Sequence, residues 1–239
     1  MSDWFEEWFG EEYLTLYPHR DDQEACRAID LIARRALLTP RARVLDLACG
    51  AGRHLRLLDD HYEAVGLDLS PALLRGARVQ DAAARLVRGD MRSLPFGTAT
   101  FDLVANLFTS FGYFRDDSQH ERVMREVGRV VRPGGWFILD FLNASQVRAT
   151  LVAVNRISAG SREIELEREI SADGRFVRKT ITLLDEDRSF VERVRLFEPS
   201  ELQAMFERAS FEVDEIVGDY DGTPWTNESP RAIVIGRRA

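Results

Sequence analysis

Residues 44–54, V-L-D-L-A-C-G-A-G-R-H, restrict the fold more than any other stretch of the chain. Residues 44–47 are mostly apolar and read as a buried parallel strand, interrupted by Asp46. Gly50-Ala51-Gly52 then breaks the run, and residues 53–58 place apolar side chains at helical spacing. A strand, a glycine turn and a helix open a βαβ unit. Glycine allows the tight turn and lets a ligand come close to the backbone. The pattern departs from the dinucleotide fingerprint G-x-G-x-x-G, because Leu55 stands where the third glycine belongs. Asp46 also argues against a phosphate-binding turn, since two anions there would repel. A cationic or amine-bearing ligand has a use for a carboxylate at that point.

Two more acidic residues follow at the ends of expected strands. Residues 63–69 read as strand 2 with Asp68 near its end, where a carboxylate accepts the ribose hydroxyls of a nucleoside. Ser70 caps the next helix, with Pro71 at its first position. Residues 85–89 form a short third strand, followed by Asp90 and Met91. The motif D-x-A-C-G-x-G, the step Gly89-Asp90-Met91 and the turn R-P-G-G at 132–135 occur in this order. Together they resemble the class I S-adenosylmethionine-dependent methyltransferases of small-molecule type, including the sugar N,N-dimethyltransferase group. The resemblance spans residues 43–141. It implies an α/β, Rossmann-like, doubly wound sheet of seven strands in the order 3-2-1-4-5-7-6, the last strand antiparallel, with ligands at the carboxyl ends. It also implies S-adenosyl-L-methionine as cofactor and S-adenosyl-L-homocysteine as product. On the same footing Asp46, Ala48, Gly50 and Gly52 surround the methionine moiety. Asp68 takes the ribose, with Leu69 counted beside it. Asp90 and Met91 meet the adenine, and Asn106 and Leu107 form the floor near the sulfur.

The N-terminus is acidic and aromatic, with Trp4, Phe5, Trp8 and Phe9 at helical, amphipathic spacing. The resemblance makes residues 1–40 a helical lid over the cofactor, with Tyr13, Tyr17 and Arg20 as contacts and Arg20 pairing the methionine carboxylate. A helix merely packing on the domain is the plainer alternative. Asp21 or Asp22 caps a helix to about residue 38. Strand 4, residues 101–106, runs into L-F-T-S-F-G-Y-F at 107–114. Nucleic-acid amino-methyltransferases carry D/N-P-P-Y/F here, and this chain has no proline pair. Phe108, Phe111 and Tyr113 are candidate acceptor contacts, with core packing as the competing explanation for the aromatics. The sugar dimethyltransferases hold a histidine at the position matched to Tyr113. Tyr113 and His19 are therefore the candidate catalytic residues, and the general base is open.

Residues 41–155 and 198–239 are expected to form the cofactor-binding core, with 156–197 inserted after strand 5 as an antiparallel β-meander. Residues 162–170 and 176–184 alternate around a turn at Asp173-Gly174, and a third strand covers 190–197. One half-apolar face must be covered, either over the substrate pocket or by a second subunit, giving a possible homodimer. The loop 218–225, by topology on the cofactor side, offers Tyr220 and Trp225 as a substrate wall.

Composition limits the partners. The formal charge of −8 disfavours bulk nucleic-acid binding, which uses a basic face. Arginine carries nearly all positive charge, Lys179 being the single lysine, a pattern that reads as coding bias. Cys26 and Cys49 suggest no disulfide, and Cys49 reads as a packing residue; with no leader and no membrane-length apolar run, a cytoplasmic protein is expected. No metal is called for. The rival readings are an NAD(P)-dependent dehydrogenase and a non-catalytic cofactor-binding regulator.

Overall fold

The computed structural model describes residues 3–16, 22–160, 162–186 and 188–239. Among the described residues three helices precede the first strand: α1 (Trp4–Trp8), α2 (Glu11–Leu16) and α3 (Asp22–Ala36). The amphipathic run expected near the N-terminus is broken at Gly10, whose N–H turns back to the carbonyl of Trp8 at 2.8 Å. Phe5 and Trp8 are buried from α1, and Tyr13 and Leu16 from α2. On α3 the residues Ala25, Ala28, Ile29 and Ile32 are buried, the stripe that helical periodicity requires.

The core alternates strand and helix: β1 (Arg43–Leu47), α4 (Arg53–Asp59), β2 (Glu63–Asp68), α5 (Pro71–Gln80), β3 (Leu86–Arg88), β4 (Phe101–Asn106), α6 (Asp117–Val130) and β5 (Val131–Leu142). Ser70 caps α5 by accepting the N–H of Leu73. After β5 come α7 (Ala144–Thr150), the inserted strands β6 (Val154–Ala159), β7 (Arg162–Ile170), β8 (Phe176–Leu183) and β9 (Arg188–Arg195), then α8 (Pro199–Arg208), β10 (Phe211–Val217) and β11 (Arg231–Arg238). The main sheet runs β10-β11-β5-β4-β1-β2-β3, with β11 antiparallel to both neighbours. This is the expected order. Val44, Leu45, Asp46 and Leu47 are all buried, because helices cover both faces of the sheet. Packing on both faces explains why β1 reads as a continuous run and not as an alternation.

The inserted sheet has four antiparallel strands, β6-β7-β8-β9, where three were expected. β6 escapes the sequence reading because it is an edge strand with Asn, Arg and Ser among its residues and no fully buried position. Ile164, Leu166, Ile181 and Leu183 on the inward face pack with Trp8, Tyr13, Leu16 and Leu73. The apolar face is therefore covered by the chain's own N-terminal helices and needs no second subunit to bury it.

Candidate active site

A cleft of about 1210 Å³ opens at the carboxyl ends of β1, β2 and β4. On one side its wall is the loop between β1 and α4. Ala48, Gly50 and Gly52 have φ of 62°, 56° and 84°, so three of five consecutive residues are left-handed. That curl turns the loop tightly, and a Cβ on Gly52 would lie 3.0 Å from that of Ala77. A non-glycine residue such as Ala48 in this region stores strain, which clusters at ligand sites. Asp68 locks the curl in place: its Oδ2 accepts the N–H of Gly50 and its Oδ1 the N–H of Ser70, both at 2.8 Å. Burial pushes the Asp68 carboxyl up, and the backbone hydrogen bonds offset this only in part.

Asp46 lies buried two residues before Ala48. Burial first, and then the charge of Asp68, push its carboxyl up to about 7, against the pull of Arg53 and a backbone hydrogen bond from Leu55. Among the described residues its Oδ2 has no hydrogen-bond partner, and neither has Oδ1 of buried Asn106. Asn106 is held by its Nδ2, which donates to the carbonyl of Leu47 at 2.7 Å. Asp90 sits at the next strand end. Burial raises its carboxyl, but the hydrogen bonds and charge of Arg92 outweigh that and hold it below the usual range.

The opposite wall is aromatic. Trp4, Phe9 and Tyr13 come from the N-terminal helices, and Phe108 and Tyr113 from the loop after β4. Tyr113 meets Trp4 at 5.0 Å between ring centroids and Phe9 at 5.6 Å, and its carbonyl accepts Trp4 Nε1–H. Ser70 Oγ donates to the carbonyl of Phe9, joining the N-terminal helices to the end of β2. The loop after β4 is strained, with φ of 59° at both Phe108 and Thr109. Asp140, fully buried near the end of β5, holds it. Its Oδ2 accepts the N–H of Phe108 at 2.8 Å and the hydroxyl of Tyr220 at 2.6 Å, and its Oδ1 accepts from Arg231 Nε. The ring of Phe108 carries two guanidinium groups, Arg53 at 4.8 Å and Arg231 at 5.4 Å.

This cofactor wall offers acceptors: a buried carboxylate oxygen and a buried amide oxygen without partners, and two further carboxylates at successive strand ends. It suits a ligand carrying an amine, a sulfonium charge, ribose hydroxyls and an adenine amino group, and repels a pyrophosphate. Residues 44–135 match the protein family described as a methyltransferase domain. Over 228 residues the chain is 29% identical to the dTDP-3-amino-3,4,6-trideoxy-alpha-D-glucopyranose N,N-dimethyltransferase of Streptomyces venezuelae, covering 88% of this chain and 92% of that one. It is 35% identical over 154 residues to the dTDP-3-amino-3,6-dideoxy-alpha-D-glucopyranose N,N-dimethyltransferase of Streptomyces fradiae, covering 59% and 60% of the two chains. The solved structure of an S-adenosylmethionine-dependent methyltransferase from Clostridium acetobutylicum shares the fold, with a TM-score of 0.80 at 19% identity over 95% of this chain and 96% of that one. Residues 44–135 thus carry a methyltransferase domain, and the chain resembles the class I S-adenosylmethionine-dependent methyltransferases. Neither rival reading finds support among these relatives.

The methyltransferase brings most of the expected residues to one cleft. Tyr13, Ala48, Gly50, Asp68, Leu69, Asp90, Met91, Leu107, Phe108 and Tyr113 line it. Asp46 and Asn106 lie buried behind it, and Gly52 shapes the loop at the start of α4. Tyr17, His19 and Arg20 lie outside the described residues. Three expected acceptor contacts do not reach the cleft lining. Phe111 is buried among His120, Phe141 and Phe197. Tyr220 is buried with its hydroxyl on Asp140, so it acts behind the wall. Trp225 packs beside β10, its backbone N–H donating to the carbonyl of Ile216. Burial raises the Cys49 thiol, in keeping with its reading as a packing residue. Sequence reasoning missed Arg53, Arg231, Lys179 and Glu192, all of which line the cleft. For Lys179 a signal existed, because it shares the parity of Val177, Ile181 and Leu183 on an alternating strand.

Proposed function

We propose that this methyltransferase transfers a methyl group to nitrogen or oxygen of a small-molecule acceptor by in-line displacement, with an amine the favoured acceptor. The observation that carries the reading is the two-sided cleft, an acid-rich wall facing an aromatic one. When bound, S-adenosylmethionine supplies a methyl group already activated on a sulfonium centre. The chain's own task is then to hold an acceptor in line and keep water out, which needs no strong acid or base. Asp46, Ala48, Gly50 and Gly52 serve the methionine end, Asp68 and Leu69 the ribose, Asp90 and Met91 the adenine, and Asn106 and Leu107 the floor. Phe108 and Tyr113 face the acceptor, with Tyr113 or His19 receiving a proton where the acceptor is a hydroxyl. Residues 1–40 are the cap and 156–197 the inserted subdomain, a division supported by the packing of the N-terminal helices on the inserted sheet. The amine preference draws on the two relatives, whose names specify amino sugars.

His120 is an unsuitable base: burial takes its imidazole down to about 4, and it sits among Phe111, Phe114 and Phe197. Action in the cytoplasm is supported by two unpaired cysteines, Cys26 and Cys49. No described helix is long and apolar enough to cross a membrane. The test is a methyl-transfer screen with labelled S-adenosylmethionine against primary amines, amino sugars and phenols. Transfer to at least one amine is expected. Tight binding of S-adenosylhomocysteine with no transfer to any acceptor would turn the reading to a non-catalytic binder.

A further inference from the structure

The inserted sheet presents one inward face to the domain, and its centre is not apolar. On β8 the residues Val177, Lys179, Ile181 and Leu183 share that face. Cross-strand register pairs them with β9: Val177 with Val194, Lys179 with Glu192, Ile181 with Phe190. The Lys179–Glu192 pair is thus flanked on both sides by apolar pairs. Lys179 Nζ lies 2.5 Å from Glu192 Oε2, and both side chains are about four-fifths buried. Trp8 Nε1–H donates to Glu192 Oε1 at 2.7 Å. Both charged residues line the cleft beside Trp4, Phe9 and Tyr113.

Composition makes the lysine stand out. The chain carries 31 arginines and one lysine, and that lysine is the one in the cleft. The arginine excess reads as coding bias, and Lys179 is the one exception to it. An ammonium differs from a guanidinium in being a compact point charge with rotatable donors on a thin stem. At this place in the cleft the chain therefore offers a compact ammonium. Among the described residues the other carboxylate pairs are made by arginine, apart from one made by His120, and several of them are exposed.

We propose that Lys179 and Glu192 form the acceptor-reading dyad and select a vicinal amino alcohol. This rests on the methyltransferase reading above and names the substrate class of the same site. The dyad sets a donor next to an acceptor, the complement of an amino group next to a hydroxyl. Glu192 accepts from the acceptor's N–H and so orients the nitrogen. Lys179 donates to the neighbouring hydroxyl oxygen. A carboxylate has about four lone-pair sites, and the Trp8 and Lys179 bonds leave Glu192 able to accept from a ligand. Trp8 also fixes the Glu192 side chain from a separate element, which preorganises it. A site built to bond a substrate hydroxyl rejects the analogue lacking it. Lys179 and Glu192 are specificity-determining residues, with no proton transfer assigned to them.

The test titrates protein saturated with S-adenosylhomocysteine with trans-2-aminocyclohexanol and, separately, with cyclohexylamine, by calorimetry. The amino alcohol is expected to bind about 10- to 100-fold tighter than the amine. Lys179→Met, Lys179→Arg and Glu192→Gln are each expected to bring that ratio close to one. Their affinity for S-adenosylhomocysteine should match wild type, which shows the fold and the cofactor wall intact. A pair that merely clamps the N-terminal helices would weaken both ligands equally and leave the ratio unchanged. Equal binding of the two ligands by wild type, binding of neither, or a preference that survives any of the three variants overturns the proposal. Loss of S-adenosylhomocysteine binding by wild type would instead count against the methyltransferase reading itself.

Discussion

The cofactor wall of the cleft comes from residues 46–91 with Asn106 and Leu107 at its floor, whereas the wall proposed for the acceptor is gathered from α1, the loop after β4, the inserted sheet and β11. In the first, Asp46, Asp68 and Asp90 stand at or just beyond the ends of three neighbouring parallel strands, β1, β2 and β3. A doubly wound sheet brings consecutive strand ends to one rim, so the spacing of the motifs already contains the site. In the second, a single hydrogen bond such as Trp8 to Glu192 joins residues 184 positions apart. Such a wall exists only after the inserted sheet has packed on the N-terminal helices. One wall is written locally and holds the common cofactor. The other is assembled from distant parts, and it is the wall proposed to meet the acceptor.

The sharpest way to break this contrast is at Asp68. Asp68→Ala removes the acceptor for two backbone N–H groups as well as the ribose contact, and S-adenosylhomocysteine affinity should fall by about 100-fold or more. Calorimetry on folded protein checks this, and affinity within threefold of wild type would strip the cofactor wall of its ribose assignment. Asp46 comes next. Its folded-state carboxyl sits at about 7, above the ordinary 3.8, so the folded state holds a proton that the unfolded chain has released. The ligand-free protein should therefore lose stability as pH rises from about 4 through 7. Asp46→Asn should abolish that slope and gain about 4 kcal/mol over wild type at pH 8, with no gain at pH 4. The same variant should bind the cationic cofactor more weakly. Thermal melts across pH and calorimetry read both effects, and an unchanged slope would place the titration elsewhere.

Two smaller effects sharpen the acceptor side. Tyr220→Phe deletes the hydroxyl bonded to Asp140 and should destabilise by about 1 kcal/mol, lowering kcat through the strained Phe108–Thr109 backbone while leaving cofactor affinity alone. A change confined to acceptor KM would return Tyr220 to the cleft lining. Trp225→Ala should leave acceptor kinetics within twofold, because the residue packs beside β10. A tenfold rise in acceptor KM would show that the loop folds onto the acceptor.

The same contrast explains what the amino-acid sequence revealed. The sheet order, the glycine loop and the three acidic positions were legible because each depends on local periodicity and on chain order. The loop 218–225 does follow the carboxyl end of β10, but Tyr220 and Trp225 do not line the cleft. In irregular backbone no period says which way a ring turns, and the Tyr220 ring turns inward to reach Asp140. Phe111 likewise turns into the core, while Phe108, Tyr113 and Phe114 of the same stretch line the cleft, and no period in the sequence separates them. β6 was passed over because an exposed edge strand needs no apolar alternation. The Lys179–Glu192 pair was half legible: parity put Lys179 on the inward face, but only the packing of β8, β9 and α1 shows that this face closes a cleft.

The most direct measurement of the central claim is the crystal structure of the full chain with S-adenosylhomocysteine bound. The account predicts density in the cleft between the two walls, with Asp68 on both ribose hydroxyls, Asp90 and Met91 at the adenine, and Asp46 behind the amino acid end. Density elsewhere, or a ribose facing away from Asp68, would contradict it.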